Sequence, residues 1–126
     1  MTKILVAEDE RDIRELIGFT LRFAGFEVVL TSNGVEAVEK ASDEQPDLIM
    51  LDVRMPKMTG YEACRHLKDN PATQAIPVVF LSAKGQETEI EQGLASGAEE
   101  YIVKPFAPDE LTNQVKEILR RARVSE

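Results

Sequence analysis

Five short apolar runs, Ile4 to Ala7, Val28 to Leu30, Leu48 to Leu51, Val78 to Leu81 and Tyr101 to Val103, alternate with stretches of helical periodicity. A pattern that keeps switching between these two periods predicts βα units and a parallel sheet. Most of the runs are continuously apolar, as strands covered on both faces should be. Nothing in the 126 residues reads as a linker or a repeat. A chain of this length forms one core, so residues 1–126 are expected to fold as a single domain.

The helical stretches differ in clarity. Ile13, Leu16, Ile17, Leu21 and Ala24 make one stripe, with Asp9 as a candidate N-cap and Gly25 as a stop. A second helix is expected from Gly34 to about Asp43, with Val35, Val38 and Ala41 or Ser42 inward and Pro46 closing it. The last opens near Pro108 and stacks Leu111, Val115, Ile118, Leu119 and Ala122 on one face. Two weaker helices lie between, Tyr61 to Lys68 with Gly60 near its start, and Glu87 to Ser96 with Gly93 inside and Gly97 after it. An interior glycine costs about 1 kcal/mol relative to alanine, so this fourth helix is expected to be among the least secure elements.

Chemistry gathers where the strands end: Glu8-Asp9 after the first, Asp52 after LIML, Ser82 after VVFL and Lys104 after YIV. Ligands of open parallel sheets bind beyond the carboxyl ends of the strands, so these groups should converge. Three carboxylates about 4 Å apart, at an effective dielectric near 20, repel by about 4 kcal/mol per pair unless a cation or a proton intervenes. Mg²⁺ fits this oxygen set, and no set of His and Cys offers zinc spacing. Glu8-Asp9 read alone is equally a solvated helix N-terminus, and Ser82 alone an ordinary strand-end serine. Asp52 follows the most apolar run in the chain, where a carboxylate needs a metal or donors. Lys104, held before Pro105, is placed either to clamp a phosphoryl group as a point charge or to pair with the acids, and the two roles are compatible.

Composition excludes other classes. A net charge of −8 disfavours direct contact with nucleic acid or anionic lipid. Arg120, Arg121 and Arg123 read as cations opposing the negative end of the last helix. No apolar run approaches the roughly 20 residues of a membrane helix, and the N-terminus lacks a signal pattern, so a soluble, cytoplasmic protein is expected. Cys64, the only cysteine, is expected to be a small core residue, so no internal disulfide can form. His66, beside Arg65 and Lys68, reads as an exposed helix residue rather than a phosphotransfer histidine, and Met50, Met55 and Met58 as packing around the site loop.

Taken in order, Glu8-Asp9, Asp52 in LIMLDVRMPKMTG, Ser82-Ala83 and Lys104-Pro105-Phe106 resemble the receiver domains of bacterial two-component response regulators over essentially the whole chain. The resemblance implies a flavodoxin-like (βα)5 fold, a doubly wound five-stranded parallel sheet of order 2-1-3-4-5. It implies that Asp52 accepts a phosphoryl group from the phosphohistidine of a sensor histidine kinase or phosphotransfer protein, in a Mg²⁺-dependent reaction. Metal ligands would be Asp9, Asp52 and the backbone carbonyl of Arg54, with Glu8 mainly through water. Ser82 and Lys104 would bind phosphoryl oxygens. Arg54 and Lys84 would tune the lifetime of the acyl phosphate, which hydrolyses without a separate enzyme. Ser82 and Tyr101 would form a switch that reshapes the face of helix 4, strand 5 and helix 5 toward a downstream protein target, and a phosphorylation-dependent dimer is compatible with that.

Some details depart from the commonest pattern: Thr59 stands where aspartate often precedes the glycine, and Ser82 replaces a frequent threonine. The third connector, Asn70 to Pro77, is longer than in many transcription-factor receivers and looks more like that of receivers attached to cyclic-nucleotide enzymes or standing alone. About three residues remain beyond Arg123, so no output domain is expected. Two rivals are weaker. A flavin or nucleotide protein of this fold needs a phosphate cradle after the first strand, where AEDERD is acidic. An aspartate-nucleophile phosphatase carries a second acid two residues after the nucleophile, where this chain has Arg54. The remaining alternative is a receiver-like contact module that takes no phosphate.

Overall fold

The computed structural model describes residues 2–83, 100–104 and 106–124. In chain order they form β1 (Lys3–Ala7), α1 (Arg11–Phe23), β2 (Glu27–Thr31), α2 (Gly34–Glu44), β3 (Leu48–Asp52), α3 (Gly60–Asp69), β4 (Val78–Ala83), β5 (Glu100–Lys104) and a C-terminal helix (Pro108–Val124). All strand pairs are parallel, in the order β2-β1-β3-β4-β5. The parallel sheet is the one the alternating pattern predicts, and its order is the flavodoxin-like, doubly wound one that the family resemblance implies. The fourth predicted helix, with Gly93 and Gly97, lies outside the described residues, as do Lys84 and Pro105.

The sheet is apolar on both faces because each strand sends neighbouring side chains opposite ways. Ile4, Val6, Leu48, Met50, Val79 and Leu81 join Ile17, Leu21, Leu111 and Val115 on the face covered by α1 and the C-terminal helix. Leu5, Ala7, Ile49, Leu51, Val78 and Phe80 meet Ala37, Ala41, Ala63, Cys64 and Leu67 of α2 and α3 on the other. Full burial of each large aliphatic contributes about 1.5–3 kcal/mol, so the three central strands dominate stability. Met50 therefore belongs to the central core and not to the site loop, whereas Met55 and Met58 do pack beside that loop.

Several expectations shift in detail. Glu10, not Asp9, occupies the N-cap of α1, with extended backbone and no side-chain cap bond. The inward stripe of α1 is Ile17, Gly18, Thr20 and Leu21, leaving Leu16 44% exposed and the stacked Phe19 and Phe23 70% and 87% exposed. At Gly18 the helix meets β2 through its smallest residue, where a Cβ would stand 3.0 Å from Leu30 Cδ1. Gly25, at φ +98°, ends α1, with its N–H on the Arg22 carbonyl and the Phe26 N–H on the Leu21 carbonyl.

In α2 the buried residues are Gly34, Ala37 and Ala41, with Val35 and Val38 half-buried and Ser42 exposed, because only small side chains fit its close approach. Gln45 in the left-handed region caps α2 just before Pro46. Thr59 and Glu62 form a capping box at the start of α3. The third connector is tied down, since Thr73 Oγ1 donates to the Leu67 carbonyl at 2.7 Å and Lys68 Nζ to the Ile76 carbonyl at 2.8 Å.

Candidate functional site

Strand register assembles the site. Ala7 is level with Leu51 in the β1–β3 pair, so the next residues, Glu8 and Asp52, sit side by side at the strand ends. Asp52 is level with Leu81, placing Ser82 one residue further along β4, and Lys104 is level with Ala83 on β5. Glu8, Asp9 and Asp52 each present a carboxylate oxygen, and these oxygens all lie within 4.8 Å of one another. At that separation and an effective dielectric near 20, each bare pair repels by about 3 kcal/mol.

Among the described residues, one ammonium meets this charge. Lys104 Nζ donates to Glu8 Oε1 at 3.0 Å and to Asp52 Oδ2 at 3.3 Å. Asp52 Oδ1 accepts the Arg54 N–H at 3.2 Å, and Glu8 Oε2 accepts the Glu10 N–H at 3.2 Å. Glu8 is 0% exposed. Burial pushes its carboxyl above the ordinary range, the neighbouring Asp52 adds to that, and Lys104 opposes it. Burial alone would lower the Lys104 ammonium, but the combined pull of Glu8 and Asp52 raises it overall. Asp9, by contrast, has an exposed side chain.

The remaining predicted residues fall into place unevenly. Ser82 is buried, and its Oγ has no hydrogen-bond partner. A buried hydroxyl without a partner costs about 1–3 kcal/mol, which an oxygen-rich ligand would recover. Tyr101 is half-buried against the cluster that holds Phe80, and Arg54 is exposed. His66 is exposed and Cys64 fully buried, as expected.

Two close contacts shape the loop after Asp52. A Cβ on Gly60 would stand 2.3 Å from the Asp52 carbonyl oxygen, so only glycine lets α3 begin there. Met58 N–H closes on the Pro56 carbonyl at 2.7 Å around Lys57, which has φ 69°. A non-glycine residue in this left-handed γ-turn is strained, as site loops often are. Sequence reading missed Arg14, whose Nη1 donates to the carbonyls of Glu8 at 2.9 Å and Asp9 at 3.3 Å. Its signal was a cation one turn into α1, spaced to reach back over the acidic loop.

The sequence model of the response regulator receiver domain matches residues 4–116. The phosphate regulon transcriptional regulatory protein PhoB of Rhizobium meliloti is 42% identical over 123 residues, covering 98% of this chain and 54% of that protein. The alkaline phosphatase synthesis transcriptional regulatory protein PhoP of Bacillus subtilis is 42% identical, with 98% and 50% covered. The chain thus spans about half the length of these curated relatives, and their names do not follow the hint read from the third connector.

Among solved structures, a putative response regulator from Chloroflexus aurantiacus superposes with a TM-score of 0.90 at 34% identity, covering 94% of this chain and 98% of that one. The receiver domain of sensor histidine kinase PA1611 from Pseudomonas aeruginosa, described with a magnesium ion coordinated in its active-site cleft, gives 0.83 at 31%, with 95% of each chain covered. Family match, sheet order and acidic cluster agree: this chain belongs to the response regulator receiver family, the receiving side of phosphorylation-based two-component signalling.

Proposed function

We propose that Asp52 is the phosphoacceptor, taking a phosphoryl group from the phosphohistidine of a sensor histidine kinase or phosphotransfer protein. The observation that carries this reading is the convergence of three carboxylates within 4.8 Å, next to an ammonium bonded to two of them. An Asp52 carboxylate oxygen attacks phosphorus, an O–P bond forms, the N–P bond breaks, and the electron pair stays on the imidazole, which takes up a proton. The Arg54 N–H and Lys104 hold the carboxylate for that attack. Lys104 then neutralises a phosphoryl oxygen, and the buried Ser82 hydroxyl donates to another.

The donor set is all oxygen, which fits Mg²⁺; Asp9, Asp52 and the Arg54 carbonyl would hold it, with Glu8 through water. When bound, the ion supplies positive charge against the carboxylates and the transferred phosphoryl group. Hydrolysis of the acyl phosphate by water returns Asp52 and inorganic phosphate, with Arg54 and Lys84 tuning its rate, so the domain resets itself without being an enzyme in the ordinary sense.

Ser82 and Tyr101 are the proposed switch. The half-buried ring of Tyr101 lies on β5 level with the buried Phe80, which supports a coupling between the site and that edge of the sheet. The altered face would engage a downstream protein target or a second phosphorylated copy. A protein donor must also rest beside Asp52, and α1, which starts at the acidic loop, offers the exposed Leu16, Phe19 and Phe23.

A single receiver domain over residues 1–126, acting in the cytoplasm, completes the reading, and both core clusters run from β1 to the C-terminal helix or α3 in support. No helix among the described residues is long and apolar enough to cross a membrane. The absence of direct nucleic-acid contact is proposed for this acidic stretch alone, since the relatives are transcriptional regulatory proteins about twice as long.

The test is incubation with acetyl phosphate or beryllofluoride, with and without Mg²⁺, comparing wild type with Asp52→Asn by intact mass and NMR. A Mg²⁺-dependent response lost in the variant supports the reading. A silent wild type points to a contact module that takes no phosphate.

A further inference from the structure

We propose that Arg14 is a positioning residue for the metal centre, clamping two successive carbonyls of the acidic loop so that the Asp9 carboxylate projects toward Asp52. The inference rests on the Mg²⁺ reading above. Glu8 needs little help: its N–H reaches the Thr31 carbonyl at 3.1 Å, and both carboxylate oxygens are held, by Lys104 and by the Glu10 N–H. Asp9 is different, because its side chain is exposed and its carbonyl is held by Arg14 at 3.3 Å. The N-cap of α1 adds no side-chain bond to this turn. One guanidinium nitrogen therefore ties the loop to the first turn of α1, through the Glu8 and Asp9 carbonyls together. Guanidinium suits the task, since it stays charged and offers its donors in a rigid plane.

Positioning and charge predict opposite signs. A cation beside a metal site repels Mg²⁺, so removing Arg14 for its charge alone would tighten binding. Removing a clamp that orients a ligand weakens it, and groups that orient metal ligands are typically worth about 10–100-fold in affinity.

Wild type, Arg14→Lys and Arg14→Met are titrated with Mg²⁺ alone, by calorimetry and by amide NMR, and their urea midpoints are measured in EDTA. Arg14→Met is expected to bind about 10-fold more weakly, with Arg14→Lys in between, because an ammonium reaches at best one carbonyl well. Equal or tighter binding by folded Arg14→Met overturns the proposal. Should that variant not fold, Arg14→Lys decides, and wild-type affinity there overturns it equally. A wild type that binds no Mg²⁺ sinks the metal reading itself, and the proposal with it.

Discussion

Replacing Gly60 with alanine puts a methyl group into the backbone that carries Asp52. The new Cβ would lie 2.3 Å from the Asp52 carbonyl oxygen and 3.0 Å from both Asp52 C and Val53 Cα. Ordinary C···O contacts begin near 3.3 Å, so the two segments must part by about 1 Å. No flexible side-chain tip can absorb this, because every contacting atom is main chain. Alanine recovers at most about 1 kcal/mol of helix preference, while forced overpacking costs about 1–3 kcal/mol. The expected net loss is about 1–2 kcal/mol, read from the urea midpoint.

The larger effect falls on chemistry. A misplacement of about 1 Å in a reacting group costs about 100-fold in rate, so acetyl phosphate should label Gly60→Ala roughly that much more slowly than wild type. Gly18→Ala is the control, because its Cβ meets only the end of the Leu30 side chain, at 3.0 Å. That tip can rotate away, and the helix interior gains from alanine, so Gly18→Ala should be neutral or stabilising by about 0.5 kcal/mol. A Gly60→Ala protein with the wild-type midpoint and labelling rate would refute the reasoning.

Lys104→Met strips the ammonium from a fully buried Glu8, and breaking a buried ion pair costs about 3–5 kcal/mol, so the urea midpoint in EDTA should fall sharply and Mg²⁺ should restore part of it. Hydrogen bonds from the Ser32 hydroxyl and N–H hold Glu36 below its ordinary value of 4.5. Its contribution is therefore full above pH 4.5 and lost as pH falls through the lowered value, so the midpoint gap between wild type and Glu36→Gln should close in acid. Lys57→Gly relieves a non-glycine residue held at φ 69°, a strain of about 1–3 kcal/mol set against about 0.5–1 kcal/mol of glycine entropy, so thermal unfolding should show a gain of about 0.5 kcal/mol or more. Phe19→Ser with Phe23→Ser should slow labelling by a protein phosphodonor more than labelling by acetyl phosphate, and equal slowing would argue against a docking role for α1.

Local pattern sufficed for a good part of this molecule. Runs such as LIML and VVF can satisfy themselves only between two layers of helices, so a buried parallel sheet followed from hydrophobicity alone. Polar residues that end such runs have nowhere to go but the carboxyl edge, and Glu8, Asp52, Ser82 and Lys104 were therefore visible as a group. The one N-cap expected from sequence, Asp9, gave way to Glu10, and the capping box of Thr59 and Glu62 emerged only in the structure.

Tertiary structure decided what depends on close approach between distant segments. Leu16 and Phe19 carry the same apolar signal as Leu21, yet α1 faces Leu30 with Gly18 and leaves the first two in solvent. Gly60 reads as a turn residue until the Asp52 carbonyl is found against it, and Arg14 as a surface cation until its guanidinium meets the Glu8 and Asp9 carbonyls. Hydrophobicity is a property of each residue and shows in the sequence. Contact distance is a property of pairs, and it exists only once the chain has folded.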